Sequence, residues 1–125
     1  KPLSIIAPSL NWIKENCITD NVDLNKYLPG PYTLILKKKN PNFLSHVSDT
    51  NTLGIRIPDT EFTEEIQEAK VPFITTSVNL SGDKPITKIS ELKPEMEEQV
   101  DVIINFGELT GNPSTLVIDG KEIKR

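Results

Sequence analysis

The chain has 125 residues, of which 36% are hydrophobic and 26% charged, and its formal net charge is −4. That length suits one domain with a single core, and no apolar run approaches the ~18 residues of a membrane-spanning helix. An acidic balance argues against a protein whose main task is gripping a phosphate backbone. The lone Cys17 excludes an internal disulfide, and a reducing, cytoplasmic setting is its simplest reading.

The chain does not begin with Met, and Lys1-Pro2 leads directly into the apolar run Leu3-Ser4-Ile5-Ile6-Ala7. A sequence whose first residues already read as core strand is expected to continue a segment upstream. Pro8 stops that strand, and Ser9 is placed to cap a short helix through Trp12 and Ile13. Asp20 or Asn21 suits the cap of a second short helix ending near Tyr27. Pro29-Gly30-Pro31 is a rigid turn, followed by an apolar strand over 32–36. Lys37-Lys38-Lys39 is the one basic cluster, and it reads best as the solvated end of that strand. A loop around Asn40-Pro41-Asn42 precedes a strand over 53–57, which Pro58 closes.

Thr60 suits an N-cap, with Glu61, Glu64 and Glu65 complementing the positive helix end. Phe62, Ile66 and Ala69 then form the apolar stripe of a helix lying on a sheet. Residues 71–77 read as a buried strand that delivers Thr75, Ser77 and Asn79 to its carboxyl end, where open α/β sheets bind ligands. Side chains two apart share a strand face, so the three are expected to converge. Residues 89–100 are expected to be mostly helical with a restart at Pro94, and 102–106 to form an apolar strand ended by Gly107. Asp119-Gly120 is the best hairpin turn in the chain, joining strands over 115–118 and 121–125. Strands alternating with helices and a closing hairpin predict an α/β fold with a twisted, mixed parallel and antiparallel sheet, in one domain over 1–125.

The sequence contains no phosphate-loop or dinucleotide fingerprint. His46 is the only histidine, which removes a histidine-based metal cluster. Cys17 reads as a buried structural thiol rather than a nucleophile. What remains is a polar site of strand ends and loops. Arg56 interrupts the apolar Leu53-Gly54-Ile55-Arg56-Ile57-Pro58, where it either leans off an edge or grips a carboxylate or phosphate in a fork. Ser77, Asn79 and the Asn112-Pro113-Ser114-Thr115 turn offer neutral hydrogen-bonding groups.

Five blocks together, Lys1-Pro2-Leu3, Pro29-Gly30-Pro31-Tyr32-Thr33, Leu53 to Pro58, Ser77-Val78-Asn79-Leu80-Ser81-Gly82 and Asn112 to Thr115, resemble the YrdC-type domain of L-threonylcarbamoyladenylate synthases. The resemblance covers essentially the whole chain. It implies a nucleotidyltransferase that makes threonylcarbamoyl-AMP and pyrophosphate from L-threonine, bicarbonate and ATP, with Mg2+ accompanying the nucleotide. Its product feeds the threonylcarbamoyl modification of tRNA, so the implied partners are downstream transferase proteins and a weak contact with tRNA, with no membrane. By position it implies that Lys1, Thr52, Ser77, Asn79 and Arg125 contact ATP, and that Arg56, Thr75 and Ser114 hold threonine. No residue is assigned as a nucleophile or general base.

Two departures accompany the resemblance. The Tyr-Pro-Thr-type stretch and Lys-x-Arg motif that precede Lys-Pro-Leu in this family have no counterpart here, so the 125-residue chain alone is expected to be nearly inactive. The histidine that often follows the Arg-x-Pro block is replaced by Asp59-Thr60. Two alternatives stand beside the synthase: a carbamoyl-transfer domain of the hydrogenase-maturation type, and an RNA-binding module.

Overall fold

The computed structural model describes residues 3–125. They form two compact units, one of Ser77–Asn112 and one of residues 3–76 with Pro113–Arg125. The second unit holds all six strands: β1 (Ser4–Ile6), β2 (Tyr32–Lys37), β3 (Thr52–Arg56), β4 (Phe73–Thr75), β5 (Thr115–Ile118) and β6 (Lys121–Ile123). Their order across the sheet is β4-β1-β3-β2-β5-β6. The pairs β1/β3 and β2/β5 are parallel, and the other three are antiparallel. This is the mixed α/β sheet expected from the alternation of elements.

Strand side chains alternate between faces, and here the alternation sorts chemistry. Ile5, Ile55, Leu34 and Val117 lie in register on neighbouring strands and are all at most 2% exposed. With Leu36, Leu53 and Ile57 they belong to one hydrophobic core. Helix α1 (Leu10–Asn16) adds Ile13 to that core, and its N-cap Ser9 accepts a 3.0 Å bond from the Trp12 N–H. Helix α2 (Leu24–Tyr27) adds Leu24 and Tyr27. Its cap is Asp23, not Asp20 or Asn21: the Val22 N–H bonds the Thr19 carbonyl in a preceding turn, so the helix starts only after Asp23 Oδ1 takes the Asn25 N–H at 3.1 Å.

Helix α3 (Glu61–Ala69) begins after Thr60 as expected, but Thr60 makes no side-chain cap bond. Its buried positions are Thr63 and Ile66, whereas Phe62 is 56% exposed. The Thr63 hydroxyl donates to the Pro58 carbonyl, which satisfies its polar group and lets it face inward in place of the phenyl ring.

Strand β4 departs from expectation in length and burial. It ends at Thr75, runs antiparallel to β1 at the sheet edge, and leaves Phe73 and Ile74 39% and 52% exposed. An apolar, β-branched run can mark an edge as readily as a centre, because pairing partners lie elsewhere in the sequence. Ser77 and Asn79 therefore fall outside the strand, and the two-residue rule does not carry them onto the face of Thr75.

In the unit Ser77–Asn112, a 3₁₀ turn (Ile89–Glu91) and helix α4 (Pro94–Glu97), with Pro94 in its first turn, stand where one mostly helical stretch was expected. Residues 102–106 are not a strand. Val102, Ile104 and Phe106 are 74%, 64% and 84% exposed. Apolar composition favours a pleated surface, but a strand also needs a ladder partner, and this segment has none among the described residues. The hairpin at Asp119-Gly120 forms as expected, with positive φ of 51° and 74° at its two turn residues.

Cys17 is fully buried, and burial pushes its thiol from 9.0 up to about 11. Because the neutral thiol is the form the fold prefers, its contribution is intact below pH 9 and lost as pH rises towards about 11. Chemical denaturation at pH 8 and pH 11 is expected to show a loss of stability that Cys17→Ala reduces, and native Cys17 should resist a thiol reagent at pH 8.

A candidate anion site on the sheet face opposite the core

The face opposite the core carries the polar residues. The registers Ser4↔Gly54, Ile6↔Arg56, Ile35↔Gly54, Thr33↔Leu116 and Ser4↔Thr75 put Ser4, Thr33, Thr52, Gly54, Arg56 and Thr75 at the same strand parity, and Ser114, just before β5, reaches Thr33 through its hydroxyl. The hairpin brings Arg125 to it as well, through Leu116↔Ile123. Arg125 donates from Nε to the Ser114 carbonyl at 2.9 Å and from its terminal nitrogen to Ser114 Oγ. Ser114 Oγ lies 2.7 Å from Thr33 Oγ1.

Arg56 ends β3 on this face. Its Nε is buried with no hydrogen-bond partner among the described residues. Burial, and then the nearby charge of Arg125, pull the Arg56 guanidinium below its ordinary range. Two cations close enough to oppose each other, one with an unanswered buried donor, form an arrangement that an anion stabilises. On the other side of β3, Ser4 Oγ and Thr75 Oγ1 are 3.1 Å apart. Gly54 lies between them and β2: a Cβ there would come within 3.2 Å of Ser4 Cβ. The absent side chain lets Ser4 and Ile35 close over β3 at this point.

The expected threonine-binding set, Arg56, Thr75 and Ser114, thus shares one face, joined by Arg125 from the expected ATP set. Thr75 reaches it from an unexpected end. Because β4 opposes β1, its carboxyl end lies beside Ser4 at the start of β1, not beside Arg56 at the end of β3. Thr52 shares the parity but sits four residues from Arg56, about 13 Å along the strand. Its hydroxyl is 3.2 Å from that of Thr50. Ser77 and Asn79 belong to the other compact unit. There the Asn79 carboxamide donates to the carbonyls of Leu80 and Asp83, at 2.8 and 3.0 Å, and braces the turn at Gly82. Lys1 lies outside the described residues.

Two participants, Ser4 and Thr33, escaped the reading of the sequence because each is a single hydroxyl inside an apolar run. Parity was the available signal: Thr33 is out of step with Leu34 and Leu36. The cluster Lys37-Lys38-Lys39 is corrected too. Lys38 is 2% exposed, and its Nζ donates to the Ser48 and Pro41 carbonyls at 2.7 and 3.4 Å. It is an internal brace for the loop over 39–51, so the triplet is neither a solvated strand end nor a continuous basic patch. A separate groove of about 280 Å³ opens between Ile18, residues 20–22, the end of β2 and the Asp119-Gly120 turn, and none of Arg56, Arg125, Ser114 and Thr75 lines it.

A model of the Sua5/YciO/YrdC family, described as telomere recombination, matches residues 1–124. The chain belongs to this family. It is 37% identical over 121 residues to a putative threonylcarbamoyl-AMP synthase of Methanocaldococcus jannaschii, covering 94% of this chain and 56% of that protein. It is 31% identical over 121 residues to the uncharacterized protein YciO of Escherichia coli, covering 91% and 58%. The crystal structure of E. coli YciO superimposes with a TM-score of 0.76 at 27% identity, over 94% of this chain and 60% of that one. The P. abyssi Sua5 protein complexed with L-threonine shares the fold at a TM-score of 0.76 and 23% identity, over 94% and 36%. The Sua5/YciO/YrdC chain described here spans a little over half the length of the first two of these curated relatives. No helix among its described residues is long and apolar enough to cross a membrane.

Gly54→Val is expected to press on Ser4 and strain its contact with Thr75, lowering the melting temperature by the equivalent of about 1–3 kcal/mol. Gly54→Ala should cost less. A thermal melt of the two variants that matched the wild type would show that the floor of the face tolerates side chains.

Proposed function

We propose that the chain is part of a threonylcarbamoyl-AMP synthase, a nucleotidyltransferase that joins L-threonine, bicarbonate and ATP and releases pyrophosphate. One observation carries the reading: the buried, unanswered Nε of Arg56 beside Arg125, on a face with the hydroxyls of Ser114 and Thr75. A guanidinium fork fits a carboxylate, and hydroxyls suit the amine and side chain of a small polar amino acid. The names of two relatives, from M. jannaschii and human, support the same activity, and the Sua5 protein bound to L-threonine supports the substrate class.

In the proposed reaction the threonine amine adds to bicarbonate, water leaves, and a carbamate forms. A carbamate oxygen then bonds to the α-phosphorus of ATP as the bond to the bridging oxygen breaks and pyrophosphate departs. Arg56 holds the threonine carboxylate, with Thr75 and Ser114 as its neutral partners. Arg125 contributes positive charge towards the nucleotide, while Lys1, Thr52, Ser77 and Asn79 are its further proposed contacts. These groups orient reactants and spread negative charge, and none acts as a nucleophile.

Arg56, Arg125, Ser114 and Thr75 offer guanidinium and hydroxyl groups, which do not make a divalent-cation site. No cluster of metal-ligating side chains occurs among the described residues. On the proposed function Mg2+ accompanies the ATP phosphates as part of the substrate. The product would serve threonylcarbamoyl modification of tRNA by cytoplasmic transferase proteins, with at most a weak contact to tRNA itself.

Arg56→Lys keeps the charge and loses the fork, so L-threonine affinity is expected to fall roughly tenfold while ATP affinity changes less. Calorimetry with each substrate reads the difference. A loss confined to ATP would move Arg56 to the phosphate side and overturn its assignment.

A further inference from the structure

The hydroxyl of Thr33 has a use that the substrate contacts do not exhaust. Thr33 is 5% exposed, so its O–H needs a partner, and Ser114 Oγ lies 2.7 Å away. Arg125 carries donors only, so its bond to Ser114 Oγ fills one serine lone pair. The Arg125 Nε bond to the Ser114 carbonyl holds the same two residues a second time. A hydroxyl has two acceptor sites and one hydrogen.

We infer that Thr33 is a positioning residue: its O–H donates to Ser114 Oγ, fills the second lone pair, and leaves the Ser114 hydrogen for an acceptor on the ligand. With both lone pairs engaged by donors, the serine O–H is polarised and its direction is set. The ligand group it meets is then an acceptor, which on the proposed function is an oxygen of the threonine carboxylate held by Arg56. The orientation of Ser114 rests on this strand geometry, and only the identity of the ligand rests on the proposed function.

The order of the elements explains why the site needs such a device. Ser114 lies in the irregular segment after Asn112-Pro113, just outside the β5 ladder. Thr33 is inside β2 and pinned by the register Thr33↔Leu116. A rigid strand thus lends its geometry to a loop hydroxyl, and through it to Arg125.

The test compares Thr33→Val, which keeps the shape and removes the donor, with Thr33→Ser, which keeps the donor. L-threonine binding to the 125-residue chain is measured by calorimetry, and the Arg125 Nε–H resonance is followed by NMR without ligand. Thr33→Val is expected to weaken L-threonine roughly 5–10-fold and to shift the Arg125 resonance, and Thr33→Ser to restore both to within about twofold of the wild type. Wild-type affinity and an unmoved resonance in Thr33→Val would overturn the inference, as would a defect that Thr33→Ser fails to rescue. If the wild-type chain binds no L-threonine, the proposed ligand falls, and the resonance alone decides: a shift in Val reversed in Ser supports the positioning role, and no shift overturns it. Should Thr33→Val fail to fold, Thr33→Cys, whose thiol is a weak donor, replaces it with the same expected outcomes.

Discussion

Everything on the sheet depends on the parity of β3. Ile55 is fully buried between Ile5 on one side and Leu34 on the other, and Leu53 shares its face. Fixing that face towards the core fixes Thr52, Gly54 and Arg56 on the opposite one. A slip of a single residue would bury the guanidinium and expose the isoleucine, a register error too costly to persist. The packing of the core therefore aims the arginine at the opposite face, where Ile6 lies beside it in register.

On that face the protein tolerates an electrostatic penalty. Arg56 loses solvation at the end of β3, and Arg125 adds repulsion instead of relief. Arg125 is held there by two bonds to one residue, Ser114, across the closing hairpin. Two fixed cations lose less orientational freedom on meeting an anion than two mobile ones would, so under the proposed function the penalty is recovered when the substrate carboxylate binds.

Buried polar groups elsewhere follow the opposite logic and are answered internally. Lys38 donates to loop carbonyls, and Thr63 donates to Pro58. Each ties a loop to a rigid element: Lys38 gathers the long connection between β2 and β3, and Thr63 fixes the entry to α3. Ser48 extends the first brace by donating to the Thr52 carbonyl at 2.7 Å, so the start of β3 is held by the same loop. Arg56 Nε differs from these groups in lacking any such answer among the described residues, which is why the proposed function rests on it.

Local signals were enough for much of this molecule. The Ser9 cap, the apolar strand from Tyr32, the Pro58 stop and the Asp119-Gly120 turn all act within a few residues, and each was legible in the sequence. Arg56 was legible as well, because a charge within an apolar run is conspicuous. Partnership between distant segments was not legible. Composition could not tell that Phe73–Thr75 would be an antiparallel edge, that residues 102–106 would find no ladder, or that Lys38 would turn inward to carbonyls three and ten residues away. Nor could it join Thr33 to Ser114 across 81 residues of chain. Caps and turns are decided by a residue's immediate neighbours, whereas pairing, burial and convergence depend on which other segment arrives, and that was left to the tertiary structure.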